Sequence, residues 1–347
     1  DEHASAVAHH YIESSSRGDA DAAVAFARKA AEWATARCAY EEAAQQVRRA
    51  LATLPDDDVE ERCSLLVALG EAHLRAGHVA RAHEICREAS QLARELGAAE
   101  LLARATLARS GEAVAPGGAD PEVVGHLEES LRLLPSDAHA TRALVGARLA
   151  LALNTPSAAA RRASVCRGAV DDARRSGRDD VLAQALDARH RALWDQSDLV
   201  GQVETAAMMT AAARACGNRE LELQSLQLRL VDALELGDIG AAEHTIEEYA
   251  RLASEFRQAP YELRLRLFRA TCALVDGDLA GAEGLVEEAH QVGSAAVPVA
   301  AHALAIARLR GPHEAVRSRL HDFVGAYPVA TLPRIGLAAL HADADRR

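Results

Sequence analysis

Apolar residues recur along this chain at helical spacing, and helix breakers interrupt them at regular distances. The first series of breaks matches in context: ARELGAAELL, ARRSGRDDVL and ARACGNRELE. Each string fits a helix end, a glycine suited to the left-handed position after the last turn, and an acidic start to the next helix. The members of this series are Gly97, Asp137, Gly177 and Gly217, followed by Arg257 just before Pro260.

A second series of breaks lies half a period away from the first. It comprises Gly77, Gly117, Ser157, Ser197, Gly237 and Gly277, and Gly311 arrives slightly early. Two interleaved series with one spacing of 40 residues predict alternating helices, A and B, joined by short turns. The sequence therefore predicts an all-α repeat protein.

The small and large positions within one unit resemble those of the tetratricopeptide repeat (TPR). The clearest example is Leu66, Leu69 and Gly70, followed by Ala82, Cys86 and Ala89. A small residue on each helix lets its partner pack closely, so that pairs can stack on one another. We predict an all-α, TPR-like α-solenoid of about eight helix pairs with a period longer than the usual repeat of about 34 residues. It forms one superhelical domain over 1–347, with an extra helix at 1–16, a longer loop at 114–121 and a tail at 341–347.

The charge balance narrows the range of partners. Acidic residues outnumber basic ones by 51 to 39, giving a formal net charge of −12, whereas a nucleic-acid surface needs a clustered basic face. No apolar run is long enough to cross a membrane. We therefore expect neither direct nucleic-acid binding nor membrane insertion. The chain begins within a helical pattern without a methionine, and we interpret it as part of a longer cytoplasmic protein.

The residue types that carry chemistry do not form catalytic patterns. Histidine occurs 15 times, yet HExxH spacing is absent and His9 and His10 diverge on a helix. Paired glutamates recur at similar repeat positions, as expected for a solvated helix face, and no strand–turn–helix motif presents a serine nucleophile. We expect no enzyme activity, catalytic residue, metal site or cofactor.

The repeat phase predicts which side chains face the concave groove. With Gly70 as position eight, position two holds Ser64, Arg104, Leu144, Gln184, Gln224 and Arg264; position five holds Val67, Leu107, Ala147, Asp187, Gln227 and Leu267; position nine includes Glu71, Arg191, Val231 and Thr271; position twelve includes Trp194. An aromatic ring beside amides and arginines suits a pocket for a polar small molecule or a peptide.

The middle repeats supply the candidate site. Its residues are Gln184, Asp187, Arg191, Trp194, Gln224, Gln227 and Arg264. An alternative needs no ligand: Trp194 fills a gap between helices, and Asp187 with Arg191 forms an ordinary i,i+4 surface pair.

Three segments of the chain resemble large actinobacterial regulators. They are residues 8–51, LDARHRALWDQSDL and LRLVDALELGDIGAAE. The family comprises signal-transduction ATPases of the LuxR type or antibiotic-regulator type, including relatives of the maltose-operon activator. The resemblance implies a helical sensor or scaffold that follows an ATPase module. No GxxxxGK phosphate loop and no helix-turn-helix with a basic recognition helix occurs in these residues.

The expected function is therefore recognition. The chain is a sensor or scaffold region that binds a small-molecule effector or a partner protein on its concave face, and the ATPase and DNA-binding modules of the parent chain are further partners. The alternative is a stand-alone TPR-type adaptor that binds an extended peptide. Homo-oligomerisation is a further possibility, because residues 329–340 stay apolar at the end of the repeats.

Overall fold

A computed structural model describes residues 17–37, 39–55, 57–110, 121–153, 155–193, 198–256, 258–292, 296–310 and 321. Within these residues the chain forms 15 α-helices, one three-residue 3-10 helix at Pro156–Ala158 and no strand. The α-helices are α1 (Arg17–Ala36), α2 (Tyr40–Thr53), α3 (Val59–Arg75), α4 (Val79–Leu96), α5 (Ala99–Ser110), α6 (Pro121–Leu133), α7 (His139–Ala152), α8 (Ala159–Ser176), α9 (Asp179–Ala192), α10 (Leu199–Ala215), α11 (Arg219–Glu235), α12 (Ile239–Phe256), α13 (Ala259–Val275), α14 (Leu279–Val292) and α15 (Ala296–Arg310).

The helix starts confirm the predicted period. The A helices α3, α5, α7, α9, α11 and α13 begin at residues 59, 99, 139, 179, 219 and 259. The B helices α4, α8, α10, α12 and α14 begin at 79, 159, 199, 239 and 279 in the same register, and α6 begins slightly late at 121. In chain order the described residues contain eight A helices and seven B helices. The fold is therefore the all-α, TPR-like repeat that the sequence predicts.

The predicted glycine breaks take the expected backbone conformation. Six glycines from the two series have φ between 65° and 80°. Gly97, for example, ends α4 in the left-handed region, and the next residue, Ala98, donates its backbone N–H back to Ala93 at 2.9 Å. This arrangement satisfies carbonyl groups at the helix end, and glycine adopts it without the steric cost of a Cβ atom. The local sequence thus fixes where the helices end.

Small residues bring paired helices close together, as the TPR resemblance implies. A Cβ atom built on Gly70 of α3 would overlap with the Cys86 sulfur of α4. In the next pair but one, a Cβ atom on Gly146 of α7 would lie 3.1 Å from the Ala169 Cβ of α8. Alanine also dominates the buried residues, so the core relies on close helix approach rather than on large side chains.

The helices group into two compact units, residues 1–195 and 196–347. Alanine, valine and leucine fill the core of the first unit, and Tyr249 is the largest fully buried side chain of the second. A single superhelical domain stays a prediction. The expected extra helix at 1–16 and the tail at 341–347 lie outside the described residues. The expected loop at 114–121 also lies outside them except for Pro121, where α6 begins. In the described part of the chain no helix is both long and apolar enough to span a bilayer.

Candidate ligand-binding face of the A helices

The predicted position-two side chains are accessible. Ser64, Arg104, Leu144 and Gln224 are half-buried, and Gln184 and Arg264 are exposed. The exposure of the position-five side chains differs between repeats. Val67, Ala147 and Leu267 are buried, while Leu107, Asp187 and Gln227 are half-buried. We call the surface that carries positions two and nine the A-helix face of each unit.

Polar contacts join neighbouring A helices across this face in the first unit. Arg28 of α1 donates to the Glu61 carboxylate at 2.5 Å and to the Ser64 hydroxyl at 3.1 Å, both on α3. Arg104 of α5 donates through Nε and Nη2 to both oxygens of Glu71 on α3, at 3.1 and 2.8 Å. Because each contact spans two A helices, the side chains of successive repeats share one surface.

A cleft of about 590 Å³ opens on this surface between α1, α3 and α5. Its walls combine carboxylates, one guanidinium and apolar side chains: Val24, Ala25, Arg28, Leu54, Asp58, Glu60, Glu61, Ser64 and Leu101. Ser64 alone was among the groove positions predicted from the sequence. Sequence reasoning missed Arg28 because the breaks that set the repeat phase begin beyond α1.

The predicted site residues of the first unit lie on one helix, α9. Arg191 donates through Nε to the Asp187 carboxylate at 2.8 Å, which is the i,i+4 pair of the alternative interpretation. Gln184 is exposed and donates its amide to the Asp180 carbonyl at 3.3 Å. Trp194 lies outside the described residues. The pocket that the sequence predicts on this stripe therefore stays a prediction.

The predicted residues of the second unit come together across two A helices. Arg264 of α13 donates through Nη1 to the Gln227 amide oxygen on α11, one helical turn from Gln224. Beneath them, Tyr249 of the B helix α12 is only 1% exposed, and its ring meets Phe268 edge to face at 5.4 Å between centroids. Sequence reasoning missed Tyr249 because the repeat phase was applied to the A helices alone.

The electrostatics of this cluster follow from burial. Burial raises the pKa of the Tyr249 hydroxyl, while the nearby Arg264 charge and the Gln227 amide act in the opposite direction. Burial and the Glu220 carboxylate together raise the pKa of Tyr261 to about 12, and the Tyr261 hydroxyl donates to Glu220 at 3.1 Å. Both phenols therefore stay protonated at neutral pH, and the Tyr261 hydroxyl donates its proton in a hydrogen bond.

The described residues contain no group of three or more His, Cys, Asp or Glu side chains that could hold a metal ion. The histidines closest to one another in α3 and the following turn, His73 and His78, face each other through Nδ1 at 3.3 Å without a third ligand. Zinc sites need three or four protein ligands, so this pair does not make such a site.

Comparisons with known proteins bear on the fold. No protein-family model matches the sequence, and no curated protein matches it either. Among solved structures, the apo form of RapI is similar with a TM-score of 0.57 and 12% identity over 78% of this chain and 98% of its own. A signal-transduction ATPase with numerous domains and a tetratricopeptide repeat sensor, from Pyrococcus horikoshii, is similar with a TM-score of 0.56 and 12% identity. That alignment covers 79% of this chain and 42% of the archaeal one. At these identities the comparisons support the TPR-like fold alone.

Proposed function

We propose that this chain is the non-catalytic sensor or scaffold region of a multidomain transcriptional regulator in the cytoplasm. In this role it binds a small-molecule effector or a partner protein on the A-helix face. The observation that carries the proposal is the cleft between α1, α3 and α5, because its volume of about 590 Å³ and its mixed polar and apolar walls suit a small ligand or a peptide side chain.

The wider architecture in this proposal follows from a related arrangement. The archaeal ATPase carries a tetratricopeptide repeat sensor within a longer chain, and the aligned part is 42% of its length. By analogy, ATPase and DNA-binding modules on the same polypeptide are the partners that receive the signal from this chain.

Two measurements test the proposal. The reading frame upstream of Asp1 should encode a phosphate-loop ATPase, and its absence would contradict the regulator role and favour the stand-alone adaptor.

A thermal-shift screen of metabolites and short peptides should also yield a ligand whose effect disappears in Ser64→Trp, because the indole fills the cleft. Glu88→Trp, on the exposed side of α4, is the matched control. If both variants bind that ligand equally, the cleft is not the binding site.

A further inference from the structure

We propose that Arg264, Gln227 and Tyr249 bind a carboxylate group on the A-helix face of the second unit. The inference rests on the proposed function, because it specifies the chemistry of a ligand for that face. All three residues belong to the second unit and lie on the consecutive helices α11, α12 and α13.

The repeat register shows why the Arg264 guanidinium is open. Arg104 occupies the same position four periods earlier, and there the preceding A helix offers the Glu71 carboxylate at position nine. The residue equivalent to Glu71 in the second unit is Val231, which is 43% exposed. Arg264 therefore makes no ion pair within the described residues, although the chain has an excess of acidic side chains.

The orientation of the Gln227 amide is fixed by its partner. Arginine only donates hydrogen bonds, so the atom of Gln227 that meets Arg264 Nη1 is the amide oxygen. The amide nitrogen consequently points away from Arg264, and the Gln227 amide lies beside the Tyr249 hydroxyl. The Nε–Nη2 edge of Arg264 has no bond to a described residue and keeps the planar fork that matches a carboxylate.

Tyr249 adds an unsatisfied donor below this pair. Its side chain is 1% exposed, and its hydroxyl, next to the Gln227 amide, has no hydrogen-bond partner of normal geometry in the described part of the chain. Buried hydroxyl groups are nearly always hydrogen-bonded, and an unmatched one is costly. A ligand atom that accepts hydrogen bonds would meet this demand after a rotation of the long Gln227 side chain that uncovers the hydroxyl and keeps the amide nitrogen beside it.

The free groups of the cluster select for a carboxylate. The Arg264 edge, the Gln227 amide nitrogen and the Tyr249 hydroxyl all offer hydrogens, and an ionised carboxylate only accepts. One unpaired guanidinium balances one negative charge, and the nearby Glu220 carboxylate disfavours a doubly charged phosphate. The half-buried Phe268 ring supplies apolar surface for the carbon body of the ligand.

The test uses benzoate, inorganic phosphate and benzylamine as probes, titrated into the whole chain by calorimetry. Benzoate should bind in the millimolar range, more tightly than phosphate, and benzylamine should not bind. Arg264→Gln and Val231→Glu should each weaken benzoate binding at least about tenfold, because one removes the guanidinium and the other supplies an internal carboxylate in the place of Glu71. Tyr249→Phe should weaken it about three- to tenfold.

Arg269→Gln is the matched control, because Arg269 is an exposed arginine on the same helix. It should leave benzoate binding unchanged, and circular dichroism should show native helicity in every variant. The proposal is wrong if benzoate fails to bind the unsubstituted chain, if phosphate binds that chain more tightly than benzoate does, or if folded Val231→Glu binds benzoate normally. An upstream frame without an ATPase would refute the regulator role and leave these titrations unaffected.

Discussion

The packing of α3 against α4 gives a prediction whose magnitude follows from the structure. Gly70 lies at a close contact between the two helices, and a Cβ atom there would overlap with the Cys86 sulfur. Cys86 has 0% exposure, so its sulfur has little room to move. Gly70→Ala therefore sets two effects against each other: alanine favours the helix, and its methyl group crowds the interface.

The balance favours destabilisation. Replacing a mid-helix glycine by alanine contributes about 1 kcal/mol of stability, whereas overpacking a tight core costs about 1–3 kcal/mol. We expect Gly70→Ala to lower the local free energy of unfolding by about 1 kcal/mol. Cys86→Ala alone should cost about 1 kcal/mol through lost packing. In the double variant the new methyl group enters the space of the sulfur, so the two changes should couple favourably by about 2 kcal/mol.

Hydrogen–deuterium exchange of the α3 and α4 amides is the appropriate assay, because repeat proteins open in parts rather than all at once. The control is Gly168→Ala in α8, an exposed helical glycine with open space around its Cβ position, which should increase protection. A Gly70→Ala chain that is more protected than the parent, or strictly additive single changes, would refute the close-approach argument.

Three further predictions concern single side chains. Glu129→Gln should lower the denaturation midpoint at pH 7 but progressively less below about pH 4. The hydrogen bond from Arg94 lowers the pKa of Glu129, so the stabilisation by the Glu129 carboxylate is lost as the pH falls through that pKa. An equal effect at all pH values would contradict this prediction. Iodoacetamide at pH 8 should label exposed Cys216 before Cys86, whose pKa burial raises to about 12, as peptide mapping by mass spectrometry will check. Arg191→Ala should change the free energy of unfolding in urea by no more than about 0.5 kcal/mol, and a clearly larger loss would mean that the arginine has a structural role.

The repeat was predictable from sequence because local residues decide where helices end. Gly97 and Gly177 adopt the left-handed conformation that their contexts indicated, and each A helix begins two residues later. The close approach of α3 and α4 at Gly70 was predictable for the same reason, since a small residue among large apolar ones on a helix indicates where its partner helix packs closely. The division into two units was not predictable, because the repeat phase gives the order of the helices and not how tightly each helix packs on the next.

The candidate site was predictable only where it follows the A-helix phase. Gln227 and Arg264 were chosen from that phase, and they do contact each other. Tyr249 reaches the same cluster from a B helix, and its 1% exposure makes it resemble an ordinary core residue. The cleft beside Arg28 depends on α1, where the sequence gives no break that sets the register. Side chains that do not belong to the A-helix phase can be found only from the three-dimensional structure.

The repeat also offers a test of what makes the Arg264 cluster specific. In the first unit, Glu71→Val would free Arg104, the equivalent arginine four periods earlier. The residues there that correspond to Gln227 and Tyr249 are Val67 and Ala89, so the freed guanidinium would lack the donors that Gln227 and Tyr249 supply.

A double variant, Glu71→Val with Val231→Glu, therefore exchanges the open arginine between the units. If the donor set is what binds the carboxylate, this chain should have lost benzoate affinity at Arg264 without gaining it at Arg104. Calorimetric titration against the parent and each single variant measures the outcome. Binding restored to the parental level would mean that one unpaired guanidinium is sufficient, and that Gln227 and Tyr249 contribute nothing to recognition. Because both arginines occupy position two of an A helix, the comparison holds backbone position constant and varies only the neighbouring side chains.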